Sequence, residues 1–187
     1  MENRCSWAEK DEVMKEYHDR EWCVPNHDDR YIFEMLNLEG AQAGLSWRTI
    51  LSKRAGYQEA FYGFEIARCA VLSEAELAAI REKGEVIRNR LKIQAVKKNA
   101  IAAQKVIAEF GSLDAYFWHF TKGVRIVNQW TTSAEMPAQS TLSETISQDL
   151  KRRGFSFVGP VIIYSFLQAI GMIDDHEVSC PCHSNAL

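Results

Sequence analysis

No apolar stretch of this chain is long enough to cross a membrane. The longest, over 158–173, falls short of a spanning helix and is interrupted by Gly, Pro, Tyr, Ser and Gln. The opening MENRCSWAEKDEV carries charges where a secretion signal needs an apolar centre. A cytoplasmic protein without membrane contact is therefore expected. A disulfide framework is also missing, because Cys5, Cys23, Cys69, Cys180 and Cys182 make an odd count with no export signal. Any one of them, such as Cys69, reads as a small buried hydrophobe. The net charge of −3 lacks the basic excess of strong nucleic-acid binders. Contact with DNA must then come from a local basic face. Two-residue alternation bounded by hairpin turns, internal repeats and low-complexity linkers are all absent.

What is present is helical periodicity. Ile93, Val96, Ala100, Ala103 and Ile107 recur at spacings of three and four, the apolar stripe of a long helix. Ser73 followed by Glu76 forms a capping box that opens another. Further helices are expected near 28–39, 45–53, 56–62, 112–120, 143–153 and 160–171, and a long exposed loop over 131–141. With 187 residues, 47% apolar and 25% charged, the chain suits one soluble domain. An all-α fold is expected over 1–187, in two helical lobes, with the N-terminal 25 and C-terminal 15 residues in one of them.

The first specific pattern lies at 148–166. A basic helix end, Lys151, Arg152 and Arg153, stops at Gly154, which suits a left-handed cap. Gly159 is followed by Pro160, at the first position of the next helix. Such a corner exposes backbone N–H groups at the second helix's start, an anion site that fits a DNA phosphate. The pattern resembles the helix-hairpin-helix of DNA base-excision glycosylases, placed here around 143–171. Lys151, Arg153, Gly154, Phe157 and Gly159 are expected to meet the DNA backbone. An ordinary corner of an all-α core would read the same way, with Phe155, Phe157 and Val158 as core. Hairpin glycosylases that also cut the strand place a lysine nucleophile just after the second glycine. Here Pro160 and Val161 follow Gly159, so base removal without strand cleavage is expected.

The second pattern centres on Glu39. Ile32, Met35, Leu36 and Glu39 share one helical face, and Gly40 is expected to end the helix. A carboxylate there opposes the helix dipole and loses solvation, which a functional partner would offset. A solvated helix-end residue, or a pair with Arg48, is the plain alternative. Trp7, Tyr17, Trp22 and Trp47 supply the flat faces that sandwich a flipped, cationic base, although each read alone would be core. Cys5 and His18 stand near one end of the chain, His176 and Cys180 near the other, two Cys and two His as in a closed tetrahedral zinc site. Cys182 or His183 could replace Cys180, and free thiols with surface histidines would give the same spacing.

Tyr17-His18-Asp19, Glu21-Trp22, Val24-Pro25, Leu38-Glu39-Gly40, Gln42-Ala43-Gly44-Leu45-Ser46-Trp47, Gly154-Phe155, Phe157-Val158-Gly159, Asp175-His176 and Cys180 follow in order. Over 4–180 the chain resembles the DNA-3-methyladenine glycosylase I family, the constitutive bacterial type of the helix-hairpin-helix superfamily. The resemblance implies that Glu39 orients the methylated base, that Tyr17 and Trp47 stack on it, and that Trp7 and Trp22 border the pocket. It implies one structural zinc ion on Cys5, His18, His176 and Cys180, clipping the two ends together. It also implies a monomer acting on double-stranded DNA and releasing free 3-methyladenine. Three positions depart from the family pattern: Met14 for a pocket tyrosine, Cys23 for a glycine and Arg48 for an aliphatic residue. Asp174 and Asp175 lie in roughly the region where other hairpin glycosylases keep a catalytic aspartate, but the resemblance implies a family that manages without it, and Asp175 is expected to support His176 through a hydrogen bond. Two alternatives remain: a hairpin module that binds damage without catalysis, and a zinc hydrolase of small molecules. The second lacks a His-Glu-x-x-His motif.

Overall fold

Short polar side chains start the helices. In the computed structural model, which describes residues 3–184, Asp11, Asp28, Ser46, Ser73, Asn89, Ser112 and Ser140 each accept a first-turn backbone N–H. They open α1 (Glu12–Arg20), α2 (Asp29–Gln42), α3 (Trp47–Ala60), α5 (Glu74–Lys83), α6 (Arg90–Phe110), α7 (Leu113–His119) and α8 (Thr141–Arg152). Helix α4 (Ile66–Ala70) is a short turn packed on α6, and α9 (Pro160–Ala169) starts at Pro160. The Ser73–Glu76 capping box forms as the sequence implies.

Three expectations need correction. Helix α3 is continuous through the gap left at 54–55. The strands β1 (Ile126–Val127) and β2 (Ile173–Asp174) pair in parallel, too short to have shown any alternation. Helix α2 does not stop at Gly40 but runs on to Gln42. Gly40 has another reason to be glycine: a Cβ there would lie 3.0 Å from both the Cβ and the carbonyl oxygen of Phe157. The helix and the α8–α9 corner approach each other as closely as backbone allows.

Helix α2 is the centre of the core. Every residue over 32–41 is buried, so it has no solvent face, and its polar side chains must each find a partner inside. Glu34 takes Arg54 (2.7 Å) and Gln58 (2.8 Å). Asn37 accepts Asn99 at 2.9 Å, and Asn99 also receives the Ser156 N–H at 2.8 Å. That pair fastens α2 to α6 and to the corner. Gly40→Ala is expected to force these elements apart and cost about 1–3 kcal/mol, as overpacking does. Thermal unfolding followed by circular dichroism measures it.

The corner itself is a helix end closed on both sides. The Phe155 N–H reaches the Leu150 carbonyl at 3.0 Å and the Gly154 N–H reaches Lys151 at 3.1 Å, with Gly154 at φ +95°. This is the full left-handed cap expected of the glycine. Ser147 donates to the Val158 carbonyl at 2.6 Å and pins the loop from beneath.

Candidate active site

Of the buried polar side chains of α2, Glu39 is the one that takes no protein partner. It is 4% exposed, and its Oε2 has no hydrogen bond. Burial alone pushes its carboxyl up to about 8. The side chain faces a cavity of about 230 Å³, lined also by Trp7, Met14, Tyr17, Trp22 and Trp47. Two further buried polar atoms of that lining lack partners, the Tyr17 hydroxyl and the Trp47 indole Nε1. An unpaired buried polar atom costs about 1–3 kcal/mol. Three in one small cavity mark a site built for a ligand with its own donors and acceptors. Burial raises the Tyr17 hydroxyl well above its ordinary range, so it enters any chemistry as a neutral donor.

The aromatic residues of the pattern meet here. Tyr17 and Trp47 have ring centroids 5.3 Å apart and planes tilted by 58°. Trp7 stands edge-on to Trp22 at 4.8 Å. Trp22 in turn packs on His176 at 4.8 Å and stacks on His18 at 5.8 Å. One wall of the cavity therefore rests on the two histidines that the sequence paired with cysteines.

Those histidines belong to a metal-competent cluster. His18, His176, Cys180 and Cys182 place their ligand atoms within 4.8 Å of one another. Cys5, expected as a ligand, is not among these four, and Cys182 is. Cys5 lies in the same buried cluster as Cys180, and hydrogen bonding with Cys5 and His18 holds the Cys180 thiol well below the usual range. The chemistry of the donors fits a tetrahedral cation. His18 Nδ1 meets Asp19 at 2.8 Å and His176 Nδ1 meets Asp174 at 2.8 Å, so each ring turns Nε2 towards the cysteines. His176 Nε2 is buried without a partner. Zn–S and Zn–N bonds of about 2.3 and 2.0 Å at the tetrahedral angle separate the two donors by about 3.5 Å. His18 Nε2 and Cys180 Sγ are 3.6 Å apart.

The second carboxylate expectation is corrected: Asp174, not Asp175, supports His176. Asp174 is fully buried and also engages Arg125 and Ser184, away from the cavity. Asp175 receives Asn128 (2.6 Å), Trp130 (2.7 Å), Tyr164 (2.7 Å) and Gln168 (2.6 Å) instead. Of the three departures, only Met14 lines the cavity. Arg48 is an exposed residue paired with Asp11. Cys23 lies at φ +62°, a conformation that suits glycine, with its sulfur accepting the Asp175 N–H at 3.4 Å.

At the corner, Lys151 is exposed. Arg153 is held by Glu109 (2.6 Å) and Asp149 (2.6 Å). Phe157 takes a left-handed φ of +58° and packs against Gly40. Gly159 has an ordinary φ of −63°, and a Cβ there would meet open space. Among the described residues nothing contacts a Cβ at that position.

Gln42, Met136, Ser165 and Gln168 complete the cavity and were missed in the sequence. Ser165 and Gln168 stand three apart in the apolar run of α9, so they share a face, and that spacing could have found them. Met136, on the loop after β1, left no such signal.

A family model described as methyladenine glycosylase matches residues 7–183. The chain belongs to the methyladenine glycosylase family. It is 41% identical over 180 residues to DNA-3-methyladenine glycosylase 1 of Escherichia coli K12, covering 96% of each chain. It is 37% identical to DNA-3-methyladenine glycosylase of Haemophilus influenzae, covering 99% of this chain and all of that one. Among solved structures it superposes with a TM-score of 0.95, at 32% identity, on a variant of 3-methyladenine DNA glycosylase I in complex with 3-methyladenine. That match covers 99% of this chain and 100% of the other. Among the described residues of this family member, no helix is long and apolar enough to cross a membrane.

Proposed function

We propose that this chain is a base-excision repair enzyme that hydrolyses the N-glycosidic bond of 3-methyladenine in double-stranded DNA and releases the free base. The observation that carries the proposal is the unpartnered Glu39 Oε2 in a cavity walled by Trp47 and Tyr17. Methylation at N3 gives the adenine a positive charge and makes it a good leaving group, so the protein needs no strong acid. It must take the nucleotide out of the stack, which costs less for damaged bases, and hold it. Electron-rich ring faces of Trp47, Tyr17, Trp7 and Trp22 favour a cation. As the cation enters, its charge draws the Glu39 carboxyl back to its ionised form and the proton leaves to solvent.

When the C1′–N9 bond breaks, its electron pair goes to N9 and neutralises the ring, while positive charge develops on the sugar. Glu39 stabilises that charge, and water adds to the sugar carbon and loses a proton. The corner formed by α8 and α9 would grip the DNA backbone. The bare Gly159 and first-turn N–H groups of α9 accept a phosphate, with Gly154 and Phe157 setting the loop and Lys151 adding charge. Arg153 shapes that loop through Asp149 and Glu109. Pro160 and Val161 offer no amine, so the strand stays uncut. One structural zinc ion, held by Cys and His at both ends of the chain, would tie those segments into one lobe of a single domain and brace Trp22. The protein acts as a monomer in the cytoplasm.

Incubation with methylated duplex DNA, followed by chromatography of the released bases, tests the reading. 3-Methyladenine is the expected product and abasic, unbroken strands the expected remainder. Release of unmodified purines alone, or of nothing, defeats it.

A further inference from the structure

The metal cluster holds more donors than one closed tetrahedral ion accepts. His18, His176, Cys180 and Cys182 already make four, and Cys5, buried in the same cluster as Cys180, stands beside them as a fifth candidate. The two thiols that compete for the fourth position arrive from opposite ends of the chain. Cys5 is fully buried and receives the Glu177 N–H at 3.3 Å, a bond that favours a metal-bound sulfur. Cys182 comes back to the cluster because the turn after Cys180 closes, with the His183 N–H on the Cys180 carbonyl at 3.0 Å. It is half-buried, so solvent reaches it before the others.

On the reading that the chain holds a zinc ion, we infer that Cys5 and Cys182 are alternative fourth ligands, Cys5 the inner and Cys182 the outer. His18, His176 and Cys180 form the constant part. The outer thiolate gives an incoming or departing ion a coordinated intermediate position, since Cys182 can bind before Cys5 lets go. The choice also matters to the cavity. Cys5 precedes Trp7 by two residues, so its ligation fastens the segment that carries one pocket wall, whereas Cys182 ligation leaves that segment to its packing, the Arg4–Asp19 ion pair and the Glu177 N–H on the Cys5 sulfur.

The test uses the full chain with zinc, and with cobalt(II) as a spectroscopic substitute, in Cys5→Ser, Cys182→Ser and the double variant. Circular dichroism confirms folding in each. Both single variants are expected to keep the tetrahedral cobalt bands. Against a chromophoric chelator Cys5→Ser weakens zinc binding by about 10- to 100-fold, whereas Cys182→Ser leaves the affinity nearly unchanged because the inner ligand remains. The double variant is expected to lose the tetrahedral bands. Transfer of zinc from Cys182→Ser to the chelator is expected to be slower than from the unaltered chain, and this measurement stands even if Cys5→Ser does not fold. The inference is overturned if Cys182→Ser matches the unaltered chain in transfer rate. It is equally overturned if either single variant loses the site as completely as the double. An unaltered chain that binds neither zinc nor cobalt sinks the metal reading itself, a distinct outcome.

Discussion

Glu39→Gln is expected to lower the single-turnover rate of 3-methyladenine release by about 100- to 1,000-fold, the scale of removing one preorganised electrostatic partner of a transition state. Glutamine keeps the shape and loses the charge, so the cavity and its walls should persist. The loss should fall on the chemical step rather than on capture of undamaged duplex. The pH dependence supplies a second signature. With the free carboxyl near 8, the ionised form is a minority at neutral pH. kcat/KM should therefore rise with pH towards about 8 and level off above it, and Glu39→Gln should abolish that rise.

The same substitution should make the protein more stable. In the folded chain the carboxyl is raised above its ordinary 4.5 because burial penalises the charge. Its favourable contribution is complete below 4.5 and is lost as pH climbs to about 8, where the native state must carry a buried, unpaired anion. Glutamine has nothing to ionise. The variant should gain melting temperature over the unaltered chain most clearly near pH 9, and little near pH 4. A variant that is inactive and less stable at every pH would point to damaged packing and defeat this account of position 39.

Removing the proposed zinc ion has the other large expected effect. Chelation should lower the melting temperature by about 10 °C or more, taking about 2–4 °C per kcal/mol for a chain of this size and several kcal/mol for the site. The reason is local. His18 and His176 are buried with their Nε2 atoms turned inward, and without a cation His176 Nε2 keeps no partner. Trp22 packs on both rings, so tryptophan fluorescence should change along with stability. Calorimetry with and without chelator, followed by zinc add-back, measures it. An unchanged melting temperature after verified metal removal would show that the ends are held by packing alone.

Much of the local structure was legible because its causes are local. A glycine that must go left-handed, a proline at a helix start and a Ser-x-x-Glu box each act within one turn, and Gly154, Pro160 and Ser73 do what their chemistry dictates. The expectations that failed depended on distant neighbours. Gly40 looked like a helix stop because its true cause, Phe157, is far along the chain. The gap expected at 54–55 is absent, and Gly56 within that continuous helix is a contact, with Glu85 O 2.6 Å from where a Cβ would sit. Two adjacent aspartates cannot be told apart by position alone. The direction in which β2 leaves its strand partner turns Asp174 to His176 and leaves Asp175 among Tyr164, Gln168, Asn128 and Trp130. Glu39 was found as a carboxylate on an apolar face, while its full enclosure depends on α2 being covered from every side.

The seam where Gly40 meets Phe157, with Asn99 bonded to both sides of it, has a mechanical meaning. The part of the protein that would rest on a phosphate and the part that would receive the base share one rigid joint, with no hinge between them. A molecule sitting on the sugar-phosphate rail thus presents its receptacle at a fixed offset from that rail. Inspection of each nucleotide then falls to the DNA, which must turn a residue outward to be read, and a lesion that unstacks readily is the one that makes the journey.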